Sequence, residues 1–341
     1  MHDLVLTSDN PLLSRVTNRG LTGVVSDQFA INCTTNLVAS GSRTELTEEA
    51  ADLLSHSVAA NTERAYRSDL AHFRNWGGTV PATPSVVCAY IGDFADTLAV
   101  ATIARRIAAL SKAHATAGLP NPCQTEIARA TLRGLKRKHG TAQRQARPLL
   151  RDDLFRVLDC MGASLRDHRD RALLLLGFAG GFRRSELVAL KCADLEVTRQ
   201  GLIVTIRRSK TDQEGEGRRI GIPHGRTRHC PVAAVEAWLG ASGISTGPMF
   251  RPITRHAHVT ADALTGDAVS VLLRERLEAA GINPEAYSGH SLRAGFATSA
   301  TQAGISTLKI RQQTGHAFDA MLARYIREGE LFTGNAAAVL L

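Results

Sequence analysis

Apolar residues recur every three to four positions from Asn61 onward. Ala65, Tyr66, Leu70 and Phe73 form one stripe that stops at Trp76-Gly77-Gly78, which predicts an amphipathic helix. The same periodicity predicts a helix starting at Thr47 and others over 84–97, 100–117 and 123–139. Gly118-Leu119-Pro120 closes the 100–117 helix and Gly140 the last. Five short helices in succession make a small all-helical domain over 45–140. Residues 1–44 lack the pattern. They are rich in Ser, Thr, Asn and Gly and are expected to be a flexible N-terminal arm with short apolar patches at Leu4–Leu6 and Val24-Val25.

Beyond Pro148 the pattern changes. A helix starts at Arg151-Asp152-Asp153, and the continuous run Ala172–Gly177 reads as buried. The stretches 195–198 and 202–207 alternate as strands do, with Gln200-Gly201 as their turn, and 219–223 is a third strand reached through a polar loop. Helices resume over 231–239, 265–280, 291–303, 306–314 and 319–328. The chain is thus expected to be mainly α with a small antiparallel β-sheet: a helical first domain, then an α+β second domain over 149–328 and a tail over 329–341. No repeat of 20–50 residues is visible.

Composition narrows the class. Hydrophobic residues at 44% and charged residues at 21% describe a globular chain rather than a disordered one. Forty-one Lys and Arg against 32 Asp and Glu give a net charge of +9, which favours a polyanion, nucleic acid first and an acidic membrane surface second. No apolar run approaches the roughly 20 residues that span a bilayer, and the N-terminus does not read as a signal peptide. The expected location is the cytoplasm, at the nucleoid, with no membrane partner. Six scattered cysteines without a CxxC pair read as reduced thiols, and no metal site is expected.

The positive charge is not evenly spread. Arg64 and Arg67 lie on one predicted helix and Arg105, Arg106 and Lys112 on another; a helix fits the major groove, where such side chains reach phosphates or guanine edges. Arg133, Lys136, Arg137, Lys138, Arg144, Arg147 and Arg151 follow with no acid among them. Over 141–148 this stretch reads as a basic linker that would let two domains close round a duplex.

Candidate chemistry lies in the second domain. Arg183 and Glu186 are three apart, hence on one predicted helical face. Lys210 falls at the start of the loop between the second and third strands. His290 and Arg293 share the start of a helix, His316 follows Gly315, and Tyr325 lies on the last helix. Each has an ordinary structural alternative: an i,i+3 surface pair, a satisfied histidine, a core tyrosine. Lys191 rivals Lys210. Together the set supplies what tyrosine attack on a phosphodiester needs, namely a nucleophile, cations around the developing negative charge, and acid–base groups.

Arg183 with Ser185-Glu186-Leu187, then Lys210, His290-x-x-Arg293, Gly315-His316 and Tyr325, in that order, resembles the tyrosine recombinases of the phage integrase family. The resemblance covers about residues 46–341. It implies a SAM-like helical core-binding domain followed by the family's catalytic domain. It also implies a site-specific recombinase working through a 3′-phosphotyrosine and a Holliday junction. Tyr325 would attack, Arg183 and Arg293 would clamp the phosphate, and Lys210 would protonate the leaving 5′ oxygen. His290 would act as acid and base, His316 would donate a hydrogen bond to the phosphate, and Glu186 would orient the basic groups. Partners would be double-stranded DNA carrying inverted repeats and three further copies of the chain, with the apolar tail Ala336–Leu341 docking in trans. No cofactor is expected. A relaxing enzyme of the type IB topoisomerase kind and an inactive DNA-binding relative are the alternatives.

Overall fold

A computed structural model describes residues 60–142, 146–207 and 217–316, together with Thr47, Glu49, Asp212, Leu322, Ala323 and Tyr325. The expected arm (1–44), the tail (329–341), Arg144 and Lys210 lie outside the described residues. The chain divides into two compact units between Ala142 and Gln143.

Unit 1 contains helices α1 (Ala60–Asn75), α2 (Pro84–Asp93), α3 (Val100–Thr116) and α4 (Glu126–His139). Their apolar stripes meet in one core of Leu70, Phe73, Val87, Tyr90, Ile91, Ile103, Ile107, Leu110 and Leu135. Two helices are shorter than the sequence pattern suggests. In α2 the ladder gives way to turns after Asp93, where Leu98 N bonds Phe94 O. Before α4, Pro122–Gln124 forms a separate 3₁₀ turn, capped by Asn121 Oδ1 accepting from Cys123 N at 3.1 Å.

Unit 2 carries α5 (Arg151–Asp159), α6 (Leu165–Ala179), α7 (Arg184–Ala189), α8 (Pro231–Ser242), α9 (Gly266–Ala279), α10 (Ser291–Gln302) and α11 (Thr307–Thr314). Strands β1 (Leu195–Thr198), β2 (Gly201–Ile206) and β3 (Arg218–Pro223) form an antiparallel sheet in the order β1-β2-β3. Mainly helical with one small antiparallel sheet, the described chain has the fold class its sequence predicts. The β1–β2 turn is Arg199-Gln200 rather than Gln200-Gly201, because Thr198 pairs with Gly201. A Cβ on Gly201 would lie 2.1 Å from Ile222 O, so the strand partner requires glycine there.

The core of unit 2 forms around α6. Ser164 and Asp167 cap its start reciprocally, at 3.2 Å and 3.1 Å. Its run Ala172–Leu176 is buried against α8, whose Trp238 is fully enclosed and donates from Nε1 to Met249 O at 2.9 Å. The segment before α5 is fastened to α10. Leu149 N bonds Ser291 O at 2.9 Å and Arg151 N bonds Ser299 Oγ at 3.2 Å. This packing fixes α10, which begins directly after His290 and contains Arg293.

Candidate active site

Four pieces of chain converge: the α6–α7 turn, the start of α10, the end of α11, and the start of β3. Gly181 sits at φ +56°, and a Cβ there would meet Thr314 at 2.8 Å. Its small size lets the α6–α7 turn approach the end of α11. Arg293, 1% exposed, ties both together: Nη1 donates to Gly181 O at 2.8 Å and to Thr314 O. Its Nη2 is buried with no hydrogen-bond partner among the described residues. A buried orphan donor costs about 1–3 kcal/mol, so a site that keeps one on a guanidinium is suited to an anion.

Arg183 does not share a helical face with Glu186. It is the residue before α7, and Glu186 is the third residue within it. Glu186 Oε2 accepts the Arg183 backbone N–H at 2.9 Å, as an acidic N3 residue does at a helix start, while Oε1 takes Arg183 Nη1 at 2.6 Å. Arg183 Nη2 also reaches Gly315 O at 3.2 Å. Gly315 itself lies at φ +66°, the left-handed turn that ends α11 and delivers His316.

Tyr325 is helical and packs with Ala297, Ile310 and Leu322. Its ring is near two imidazoles, with centroid distances of 6.1 Å to His290 and 5.9 Å to His316. His290 Nε2 stands 2.5 Å from the Tyr325 hydroxyl. Partial loss of water round His290, with the Arg293 and Arg183 charges, lowers its pKa below 6.5, so it is neutral and able to accept a proton near neutrality. His316 is driven further, to about 3, by burial and then by Arg293, Arg183, His290 and Arg218.

The neutral His316 has a tautomer to settle. Thr314 Oγ1 lies 2.7 Å from His316 Nδ1 and 2.7 Å from Ile310 O. With the hydroxyl proton on Ile310 O, the imidazole Nδ1–H donates to Oγ1 and Nε2 is left an acceptor. When the hydroxyl turns to Nδ1, Nε2 carries the proton and becomes a donor.

The structure thus brings together Arg183, Glu186, His290, Arg293, His316 and Tyr325. It adds Arg218, which the sequence pattern does not single out: Nη2 donates to Glu186 Oε2 at 3.0 Å and Nη1 to Gln313 O at 3.1 Å. Nothing in its neighbourhood along the chain marks it apart from Arg219. Lys210 falls outside the described residues.

The candidate DNA-contacting residues belong to other surfaces. In unit 1, Arg64, Arg67, Lys112, Arg133, Lys136, Arg137 and Lys138 are exposed. Arg105 is exposed but bidentate on buried Asp69, at 2.9 and 2.8 Å. Arg106 departs from the expected basic face. Its side chain is 13% exposed and lies against Asp69, His72 and Tyr90, with buried Nε 3.6 Å from Asp69 Oδ1 but without a hydrogen-bond partner among the described residues. Arg147, in unit 2, is exposed, with its guanidinium over the Tyr287 ring at 5.8 Å.

Among the described residues no helix is long and apolar enough to cross a membrane. Comparison with known proteins agrees with the geometry. The profile of the phage integrase family matches residues 148–330. An integrase/recombinase XerD homolog of Selenomonas ruminantium is 40% identical over 293 residues, covering 83% of this chain and 86% of the relative. The recombinase Cre of Escherichia phage P1 is 26% identical over 309 residues, covering 82% and 89%. A lambda integrase tetramer solved on a Holliday junction shares the fold, with TM-score 0.56 and 18% identity over 80% of this chain and 74% of that one. The chain belongs to the phage integrase family, the tyrosine recombinases, and is a site-specific recombinase that cleaves and rejoins DNA.

Proposed function

We propose that Tyr325 is the nucleophile of this recombinase and that the residues gathered round it divide the remaining work. The 2.5 Å approach of His290 Nε2 to the Tyr325 hydroxyl, beside the Arg183 and Arg293 guanidiniums, carries this reading. As Tyr325 Oη bonds to phosphorus, neutral His290 takes the phenolic proton. The bond from phosphorus to the 5′ oxygen breaks, and Lys210 supplies that oxygen with a proton. Arg183 and Arg293 hold the non-bridging oxygens, a bidentate task that suits Arg better than Lys. His316, in its Nε2–H tautomer, donates to the same phosphate. Glu186 orients Arg183. The phosphotyrosine retains the energy of the broken diester, so rejoining needs no ATP.

The assembly we propose is a homotetramer on two double-stranded sites of inverted-repeat type, working in the cytoplasm at the nucleoid. The solved tetramer of a protein with this fold on a Holliday junction supports that arrangement. Residues 45–140 and 149–328 would both bind the duplex, joined along the chain by the basic stretch 141–148. Exposed Arg64, Arg67, Lys112, Arg133, Lys136, Arg137 and Lys138, with Arg105, Arg144 and Arg147, would meet phosphates. The tail 329–341 would dock on the next protomer.

The test uses a duplex that the full chain selects from a random pool, nicked opposite the cleaved phosphate so that an adduct is trapped. The wild-type chain is expected to give an SDS-stable covalent complex, and Tyr325→Phe to bind equally well with no adduct. An adduct with Tyr325→Phe overturns the assignment.

A further inference from the structure

Glu186 poses a difficulty for a phosphate-binding site. It is 1% exposed at the side chain and in contact with Arg183 through both oxygens. Taken alone, the pair is close to neutral: the carboxylate that orients Arg183 also cancels much of its pull on an anion, and repels the anion itself.

Arg218 changes that balance. Its Nη2 shares Glu186 Oε2 with the Arg183 backbone N–H, and its Nη1 holds Gln313 O, two residues before Gly315. The side chain is 21% exposed, and Nε is buried with no partner among the described residues. Burial first, and the Arg183 charge with it, lowers the Arg218 pKa, while Glu186 raises it. A guanidinium is therefore kept out of water beside another, at a cost that filling its hydrogen bonds does not explain. Room is also made for it: a Cβ on Gly315 would lie 2.2 Å from Arg218 Nη1. Two guanidiniums, Arg183 and Arg218, thus hold one carboxylate whose charge is also felt by Arg293, and the excess charge of the group is positive before any DNA arrives.

We propose that Arg218 is a positioning residue for strand cleavage: its charge offsets that of Glu186, so that Glu186 can orient Arg183 without weakening the hold of Arg183 and Arg293 on the scissile phosphate. The inference rests on the phosphate-clamp reading above. It places on β3 a residue that acts through Glu186 and does not touch the reacting atoms.

The experiment measures single-turnover adduct formation by the full chain on the selected, nicked duplex. One version carries an ordinary phosphodiester at the cleaved position and the other an uncharged methylphosphonate. On the phosphodiester, Arg218→Met should slow adduct formation roughly 10- to 100-fold with DNA binding unchanged. On the methylphosphonate, which carries no charge to hold, the variant should match wild type within about threefold. Arg218→Lys, which keeps the charge, should recover most of the rate on the phosphodiester. A wild-type rate for Arg218→Met on the phosphodiester, or the same loss on both duplexes, overturns the proposal, the second outcome marking a merely structural role. If Arg218→Met does not melt cooperatively, Glu186→Gln/Arg218→Met removes both buried charges together. It should react as fast as Glu186→Gln alone, and a further loss of 10-fold or more overturns the proposal. Failure of the underlying reading looks different: an adduct that survives Tyr325→Phe.

Discussion

The Tyr325 hydroxyl and His290 Nε2 are 2.5 Å apart, and the histidine is held neutral by its partly desolvated position and by Arg293 and Arg183. Only the neutral imidazole accepts the phenolic proton. Because its pKa is lowered, neutral His290 persists below pH 6.5. The single-turnover cleavage rate is therefore expected to hold its plateau down through pH 6.5 and to fall only at more acid pH. His290→Ala should remove that acid limb and lower the plateau by about 10²–10⁴-fold, with DNA binding retained. A wild-type limb centred above 6.5 would contradict the geometry.

The sequence displayed most of this site because its residues lie in short local motifs: His290 and Arg293 three apart, His316 behind its turn glycine, Arg183 and Glu186 at one helix start. Local spacing survives folding. Arg218 was not legible, since its meaning comes from Glu186, 32 positions away, and from Gln313, 95 away. Arg106 misled for the same reason. It reads as part of an exposed basic face, but Asp69 and His72 on α1 close over it. The sequence spacing predicts a helix carrying both Arg183 and Glu186, whereas α7 begins only after Arg183. The periodic pattern reports which side of a helix is apolar and does not locate the N-cap.

Thr314 has one hydroxyl proton and two acceptors within 2.7 Å, Ile310 O and His316 Nδ1. Donation to His316 is what leaves Nε2–H free for a phosphate. Thr314→Val keeps the shape and loses the proton, so cleavage should fall about tenfold, the worth of one hydrogen bond of about 1–1.5 kcal/mol. Thr314→Ser should restore it. DNA affinity, read by electrophoretic mobility shift, should not change.

His316 also ties stability to pH. Its pKa is about 3 in the folded chain, against 6.5 for an imidazole in water, so the unfolded chain binds a proton that the folded chain refuses. Stability is complete above 6.5 and declines as pH falls from 6.5 toward about 3. By pH 5 the loss from this one group is about 2 kcal/mol. His316→Gln does not titrate there. Urea unfolding of unit 2 between pH 7 and 5 should show a smaller loss for His316→Gln than for wild type by about that amount.

Two cations on the same helix, α3, should behave differently. Arg106 is enclosed with Asp69 and His72, and Asp69 is 2% exposed at its side chain. Asp69→Ala leaves Arg106 buried without its counter-charge and should destabilise unit 1 by about 3–5 kcal/mol. Lys112 is exposed and has no such role. Lys112→Ala should leave the melting temperature unchanged and lower the slope of log affinity against log salt by about 0.9, one phosphate contact. An unchanged salt slope would remove Lys112 from the DNA surface.

Gly295 lies within α10, between the active-site residues and the strap formed by Leu149 and Arg151. A Cβ on Gly295 would sit 1.7 Å from Leu149 O and 3.0 Å from Leu149 N, backbone atoms that no rotamer change can clear. Leu149 is itself fully buried and bonded to Ser291 O, so neither partner can retreat without moving the start of α10. Gly295→Ala should therefore cost at least the 1–3 kcal/mol typical of overpacking, about 2–4 °C in unit 2 for each kcal/mol. The same displacement reaches His290 and Arg293, less than two turns before it. Cleavage at a temperature where the variant is folded should consequently fall more than DNA binding does. A variant that loses stability but cleaves at the wild-type rate would show that the strap holds the fold and not the alignment of His290 with Tyr325.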